Sequence, residues 1–177
     1  MSKNTTLIIG GTRGIGSVIK EVLIERGDQV YTASRSDLGT ATHIKMELPN
    51  PLLCDAKIKL NYLIFAHRYR GTKWDEDFHT TVKTVDAIIN QLKDSFSREA
   101  SIVILGSNAG NFVVEEQSAS YHATRAALGG LTKYYASIMG AKGVRCNSVL
   151  PATIIKPENK QFFTRDNDVR KMIERIT

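Results

Sequence analysis

The chain has 177 residues, 42% of them hydrophobic and 24% charged, with 13 Gly, 4 Pro and a formal net charge of +6. Ample apolar content and glycines without a fixed period exclude disorder and collagen-like repetition, and predict one globular domain over residues 1–177. No apolar run reaches the roughly 18 residues of a membrane-spanning helix, and Leu7-Ile8-Ile9 is too short for a signal peptide, so a cytoplasmic protein with no membrane partner is expected.

The opening run Thr5-Thr6-Leu7-Ile8-Ile9 is apolar and β-favouring, as in a strand buried on both faces, and Gly10-Gly11 closes it. Ile15, Val18, Ile19, Val22 and Leu23 then recur as the stripe of a helix packed on a sheet, and Gly27 is a natural stop. Residues 29–34 predict a second strand, 42–48 a more polar third and 61–66 a fourth. A helix over 75–96 carries Phe78, Val82, Val85, Ile89, Leu92 and Phe96 on one face. Residues 101–105 predict a fifth strand, 118–140 a helix ended by Gly140, and 144–150 a last strand before Pro151. One more amphipathic helix is expected over 166–176. Strands alternating with helices imply right-handed crossovers, hence an α/β fold with a parallel sheet covered on both faces.

Few other chemistries are open to this chain. Its two cysteines, Cys54 and Cys146, make no Cys-x-x-Cys pattern and read as reduced thiols. His43, His67, His79 and His122 form no close ligand pair, so no metal is expected. The basic excess is not concentrated: Arg68-Tyr69-Arg70-Gly71 is the densest aromatic-basic patch and is short. No nucleic-acid partner follows from it, whereas a modest positive charge suits an anionic cofactor.

The chemistry-bearing pattern begins at Gly10-Gly11-Thr12-Arg13-Gly14-Ile15-Gly16, between the first strand and the first helix. Glycines there let the backbone turn tightly and approach a pyrophosphate, which the amides at the helix start would stabilise. No Gly-Lys-Ser/Thr follows, which excludes a Walker loop. A bare βα turn is the alternative. The Gly-x-x-x-Gly-x-Gly spacing resembles that of the short-chain dehydrogenases/reductases, with Ile9 where that family has Thr. The resemblance implies a Rossmann-like doubly wound sheet of about six strands in the order 3-2-1-4-5-6. Arg13 within the turn and Ser34-Arg35 after the second strand, where a carboxylate would otherwise pair with the ribose 2′-OH of NAD, favour NADP(H), with NAD(H) the second choice. Glu47 falls where the family has an acidic residue against the adenine.

A second landmark is Tyr121-His122-Ala123-Thr124-Arg125, in the place of the family's Tyr-x-x-x-Lys. Residues four apart share a helix face, and a cation beside a phenol favours its phenolate. Ser107, in Gly106-Ser107-Asn108-Ala109-Gly110, follows the fifth strand and by resemblance is the hydroxyl that bonds the substrate oxygen. The resemblance thus implies Ser107, Tyr121 and Arg125 as catalytic residues. It implies cofactor contacts from Gly10, Thr12, Arg13, Gly14, Ile15, Gly16, Ser34, Arg35, Glu47, Ala66, Tyr121, Arg125 and Pro151. Several positions depart from the family pattern. Arg125 keeps the charge of lysine but cannot enter a proton relay. Phe65-Ala66-His67-Arg68 stands for Asn-Asn-Ala-Gly, Thr81 falls near a catalytic Asn, Pro151-Ala152 stands for Pro-Gly, and Lys156 lies near a nicotinamide-side Thr.

These features predict an NADP-dependent oxidoreductase acting on a small-molecule carbonyl or alcohol; the alternative is a catalytically weak or inactive NADP-binding sensor or scaffold. By resemblance, the helices over 75–97 and 118–140 would pair copies into a homodimer or homotetramer. Residues 36–60 leave little room for the family's intervening helices. The family's final strand and its glycine-containing end do not occur within the 177 residues, so the C-terminal part of the family fold is expected to be missing, with an exposed sheet edge.

Overall fold

A computed structural model describes residues 3–46, 59–155, 160–161 and 171. The expected roles of Glu47, Cys54 and Lys156, and all of the tail helix except Lys171, fall outside the described residues. The apolar runs become parallel strands: β1 (Thr5–Ile9), β2 (Gln29–Ser34), β3 (His43–Lys45), β4 (Leu60–Phe65), β5 (Phe96–Leu105) and β6 (Arg145–Val149). They form one six-stranded sheet in the order β3-β2-β1-β4-β5-β6, as the resemblance implies.

Alternation along the strands divides the core between two faces. Leu7 and Ile9 of β1, Leu63 and Phe65 of β4, and Ile102 and Ile104 of β5 share one cluster with α3 (Thr84–Leu92) and α4 (Ala119–Gly140). Ile8, Val30 and Ile64 turn the other way, against Ile19 and Leu23 of α1 (Gly14–Glu25). Gly27, at φ +93°, closes α1, its amide donating to Ile24 and that of Asp28 to Leu23. The stripe predicted for α1 is narrower than expected: Val18 and Val22 are each 57% exposed. Ile19 and Leu23, four residues apart, pack on the sheet against Ile8, Val30 and Ile64.

The helix predicted over 75–96 is interrupted. It is built from α2 (Trp74–Phe78), a π-helical turn at His79–Lys83, and α3. A π turn carries an extra residue and rotates the helix face, which leaves Phe78 partly exposed while Val82, Val85, Ile89 and Leu92 stay buried. Phe96 is not helical. It pairs with Leu60 at the start of β5, and the register next resumes at Tyr62 with Ser101. The residues between bulge outward, with Glu99 at φ +71°, and Ser97 Oγ donates to the Leu60 carbonyl at 3.0 Å. A sequence pattern of apolar spacing cannot register such a bulge.

Candidate active site

Parallel strands bring their carboxyl ends to one edge, so the turn after β1, Ser34-Arg35 at the end of β2, Ala66-His67 after β4, Ser107 after β5 and Pro151 after β6 share one rim. Gly10 and Gly14 turn the chain at φ +86° and +59°. A Cβ on Gly10 would lie 2.7 Å from the His67 backbone N, and one on Gly16 only 2.2 Å from the Gly10 carbonyl oxygen. The glycines therefore let the turn fold onto itself and onto the end of β4. Arg13 is exposed and occupies the N-cap position of α1 without a side-chain cap bond, and the first turn carries no acidic residue. Thr12 and Ile15 are half-buried beside it. Amides with no side-chain cap at a helix start that lacks carboxylates fit a pyrophosphate.

Arg35 is exposed, and the turn that carries it is braced from β3. His43 Nε2 donates to the Ser36 carbonyl at 2.6 Å, and its Nδ1 accepts from Thr32 Oγ1 at 2.8 Å. Sequence reasoning missed this brace, because only the β2–β3 pairing sets His43 against Ser36. Asp37, the nearest carboxylate after β2, accepts from the Gly39 amide at 3.0 Å.

On α4, Ser118 caps the helix by accepting from the Tyr121 amide at 3.2 Å. The Arg125 guanidinium carbon stands 4.6 Å from the centre of the Tyr121 ring, a cation–π contact. Arg125 is 3% exposed, and its Nε and Nη2 are buried with no hydrogen-bond partner among the described residues. Burial lowers its pKa from the ordinary arginine value; Tyr121 and Asp77 oppose that shift and Arg68 reinforces it.

Ser107 reaches this helix through a residue that the motif reading did not single out for a role. A Cβ on Gly110 would lie 3.0 Å from the Arg125 carbonyl carbon and 3.1 Å from the Ala126 N, so glycine lets the short 3₁₀ turn Asn108–Gly110 press on the α4 backbone. Ser107 Oγ accepts from the Ala109 amide at 3.2 Å, and the Asn108 amide donates to the Pro151 carbonyl at 3.1 Å, tying the ends of β5 and β6 together. His122 clamps the following loop, its Nε2 accepting from the Val114 amide at 2.9 Å and its Nδ1 donating to the Ser118 carbonyl at 2.8 Å.

Thr81 lies in the π turn and donates to Asp77 Oδ1 at 2.9 Å, while Ser120 Oγ donates to Asp77 Oδ2 at 3.2 Å. Asp77 thus joins α2 to the start of α4. The Thr80 carbonyl accepts from His67 Nε2 at 2.9 Å, so this histidine links the end of β4 to the π turn.

Burial above all, with the nearby Arg125 charge, lowers the His67 pKa from 6.5 to about 4, against the opposing bond to Thr80. Between those pH values the unfolded chain binds a proton that the folded chain excludes, so this contribution is full at neutral pH and falls on acidification. Stability in urea should drop by about 2 kcal/mol between pH 7 and pH 5 on this account. His67→Asn should remove most of that dependence, as measured by unfolding midpoints at the two pH values.

The strand order, the glycine turn at the switch point and the rim of polar side chains define a Rossmann nucleotide-binding fold. Residues 65–177 match the family described as enoyl-(acyl carrier protein) reductase. The chain is 25% identical over 191 aligned positions to a 7alpha-hydroxysteroid dehydrogenase of Clostridium sardiniense, covering 84% of this chain and 70% of that protein. It is 24% identical to the 3-oxoacyl-[acyl-carrier-protein] reductase FabG of Vibrio cholerae, covering 84% and 72% respectively. The Pseudomonas aeruginosa RhlG/NADP active-site complex superposes with a TM-score of 0.76 at 21% identity, over 94% of this chain and 78% of that one. The chain belongs to the short-chain dehydrogenase/reductase family, a family of oxidoreductases.

Proposed function

We propose that the chain is an NADP(H)-dependent oxidoreductase that interconverts a small carbonyl compound and its alcohol, with Tyr121 as the proton donor and acceptor. The observation that carries this reading is the Arg125 cation held over the Tyr121 ring with two of its own donors buried and without a partner among the described residues. A buried unpaired donor is costly, and ribose hydroxyls of a dinucleotide would satisfy it. Bound nicotinamide supplies or accepts the hydride. Tyr121 gives its phenolic proton to the carbonyl oxygen during reduction and recovers one from the alcohol during oxidation. Ser107, turned from its local contacts with Asn108 and Ala109, donates to the same oxygen. Arg125 stays protonated throughout and acts by charge and by binding, because guanidinium does not titrate in the working range.

Pyrophosphate would lie on the turn from Gly10 to Gly16, with Thr12 and Ile15 at its edge, Ala66 and Pro151 lining the rim, and Arg13 and Arg35 reading the 2′-phosphate. Fluorescence titration with NADPH and NADH tests this. NADPH should bind more tightly, and Arg35→Glu should weaken it by roughly tenfold or more while sparing NADH. Tighter NADH binding by the wild type would reject the roles of both arginines.

Replacement of the family's lysine by Arg125 favours a second reading, an NADP-binding sensor or scaffold without turnover. A panel of 3-oxoacyl thioesters and oxosteroids, the classes suggested by the relatives' names, separates the two. Tyr134 and Ile138, both more than half exposed on α4, support pairing between copies.

A further inference from the structure

A carboxylate lies inside the packing between α2 and the start of α4. Asp77 is 4% exposed, and its two oxygens accept from hydroxyls on different elements: Oδ1 from Thr81 Oγ1 in the π turn at 2.9 Å, and Oδ2 from Ser120 Oγ on α4 at 3.2 Å. Ser120 Oγ also lies 2.9 Å from Ser118 Oγ, which accepts from the Tyr121 amide at 3.2 Å. A carboxylate only accepts and each hydroxyl has one proton, so the direction of the whole chain is fixed. The Tyr121 amide donates to Ser118, Ser118 to Ser120, and Ser120 to Asp77. An apolar side chain would fill a buried position without the desolvation cost of a carboxylate, so what explains Asp77 is the set of groups it holds.

Successive helix residues point about 100° apart around the axis. Ser120 and His122 therefore flank the direction of Tyr121, one on each side. Ser120 is tied to α2 through Asp77, and His122 to the loop after β5, its Nε2 accepting from the Val114 amide at 2.9 Å. Two ties on either side of one residue fix the rotation of the helix start about its axis, and with it the direction in which Tyr121 leaves α4. We propose that Asp77 is a positioning residue for Tyr121, setting through Ser120 and Ser118 where the phenol stands relative to the reacting oxygen. This role rests on the reading of Tyr121 as proton donor, and it acts through α4 and not by contact with the reacting atoms.

A double-mutant cycle on the full chain tests it, with NADPH and a carbonyl of the panel that the wild type reduces. Ser120→Ala and Asp77→Ala should each lower kcat roughly ten- to hundredfold, while KM and NADPH affinity stay within about threefold, as expected when a reacting group is displaced by up to about 1 Å. Asp77→Asn, whose amide oxygen still accepts from Ser120, should recover most of the rate. In a Tyr121→Phe background the same substitutions should lower the rate by no more than about a further twofold, because the group they position is already gone. A purely structural role lowers the rate by one factor in both backgrounds. That result, or an unchanged kcat in Ser120→Ala, overturns the proposal, and so does an Asp77→Asn rate as low as that of Asp77→Ala, which would assign the effect to charge. If Asp77→Ala fails to fold, Ser120→Ala, which removes a single hydroxyl, carries the cycle. A Tyr121→Phe variant with the wild-type rate, or a wild type inert on the whole panel, overturns the proton-donor reading alone. Spectra of ¹³C-labelled tyrosine then decide the positioning: the ring resonance that disappears in Tyr121→Phe should shift in Asp77→Ala and stay near its wild-type place in Asp77→Asn. An unmoved Tyr121 resonance in Asp77→Ala overturns the proposal.

Discussion

Tyr121→Phe is expected to lower carbonyl reduction by roughly 10²–10⁴-fold, the usual contribution of a positioned proton donor, while NADPH binds within about twofold of wild type. Phenylalanine preserves the ring beneath the Arg125 guanidinium, 4.6 Å from its centre, so the cation remains stacked and buried. What is lost is one oxygen and its proton. Steady-state oxidation of NADPH on the carbonyl panel, paired with fluorescence titration, measures both quantities. Equal rates for the two proteins on a substrate that the wild type reduces would remove Tyr121 from the chemistry. Equal inertness across the panel, with NADPH still bound, would favour the sensor reading.

Gly16→Ala should be strongly damaging. Its Cβ would lie 2.2 Å from the Gly10 carbonyl oxygen and 3.1 Å from the Gly11 Cα, both backbone atoms that cannot rotate away. Either α1 must move off the turn or the turn must open, and each movement disturbs the β1–β4 edge against which Gly10 is set. We expect a loss of about 3 kcal/mol, in the range of overpacked sites, and a fall in Tm of roughly 6–12 °C for a chain of this size. NADPH affinity should fall with it, because the amides at the α1 start are aimed by the same turn. Ala at Gly129, where a Cβ meets nothing within 4 Å, is the control and should leave both quantities near wild type.

Much of the candidate site was legible because it is written locally. The turn from Gly10 to Gly16 is contiguous and its strand–turn–helix context is set by neighbouring residues. Tyr121 and Arg125 are one helical turn apart, so their stacking follows from spacing alone. Ser34-Arg35 and Ser107 are located by the strands that precede them. Other parts depend on meetings between distant segments. Gly110 matters because α4 passes within van der Waals reach of it; in sequence it is one more glycine after a strand. His43 acquires its role only when β3 pairs with β2. His67 looked like a departure from a family pattern, yet its Nε2 reaches the Thr80 carbonyl because the helix after β4 opens into a π turn there.

By itself the sequence determined the succession of strands and helices along the chain, the glycine turn and the residues that bear charge or a titratable hydroxyl, because each follows from periodicity, glycine geometry or four-residue helical spacing. Tertiary structure alone decided which donors and acceptors were left unpaired. Arg125 is buried where α4 packs, and His67 bonds the Thr80 carbonyl through one ring nitrogen while the other has no partner among the described residues. Hydrogen-bond satisfaction is a property of that enclosure, where water is excluded and each buried polar atom must find a partner within about 3 Å.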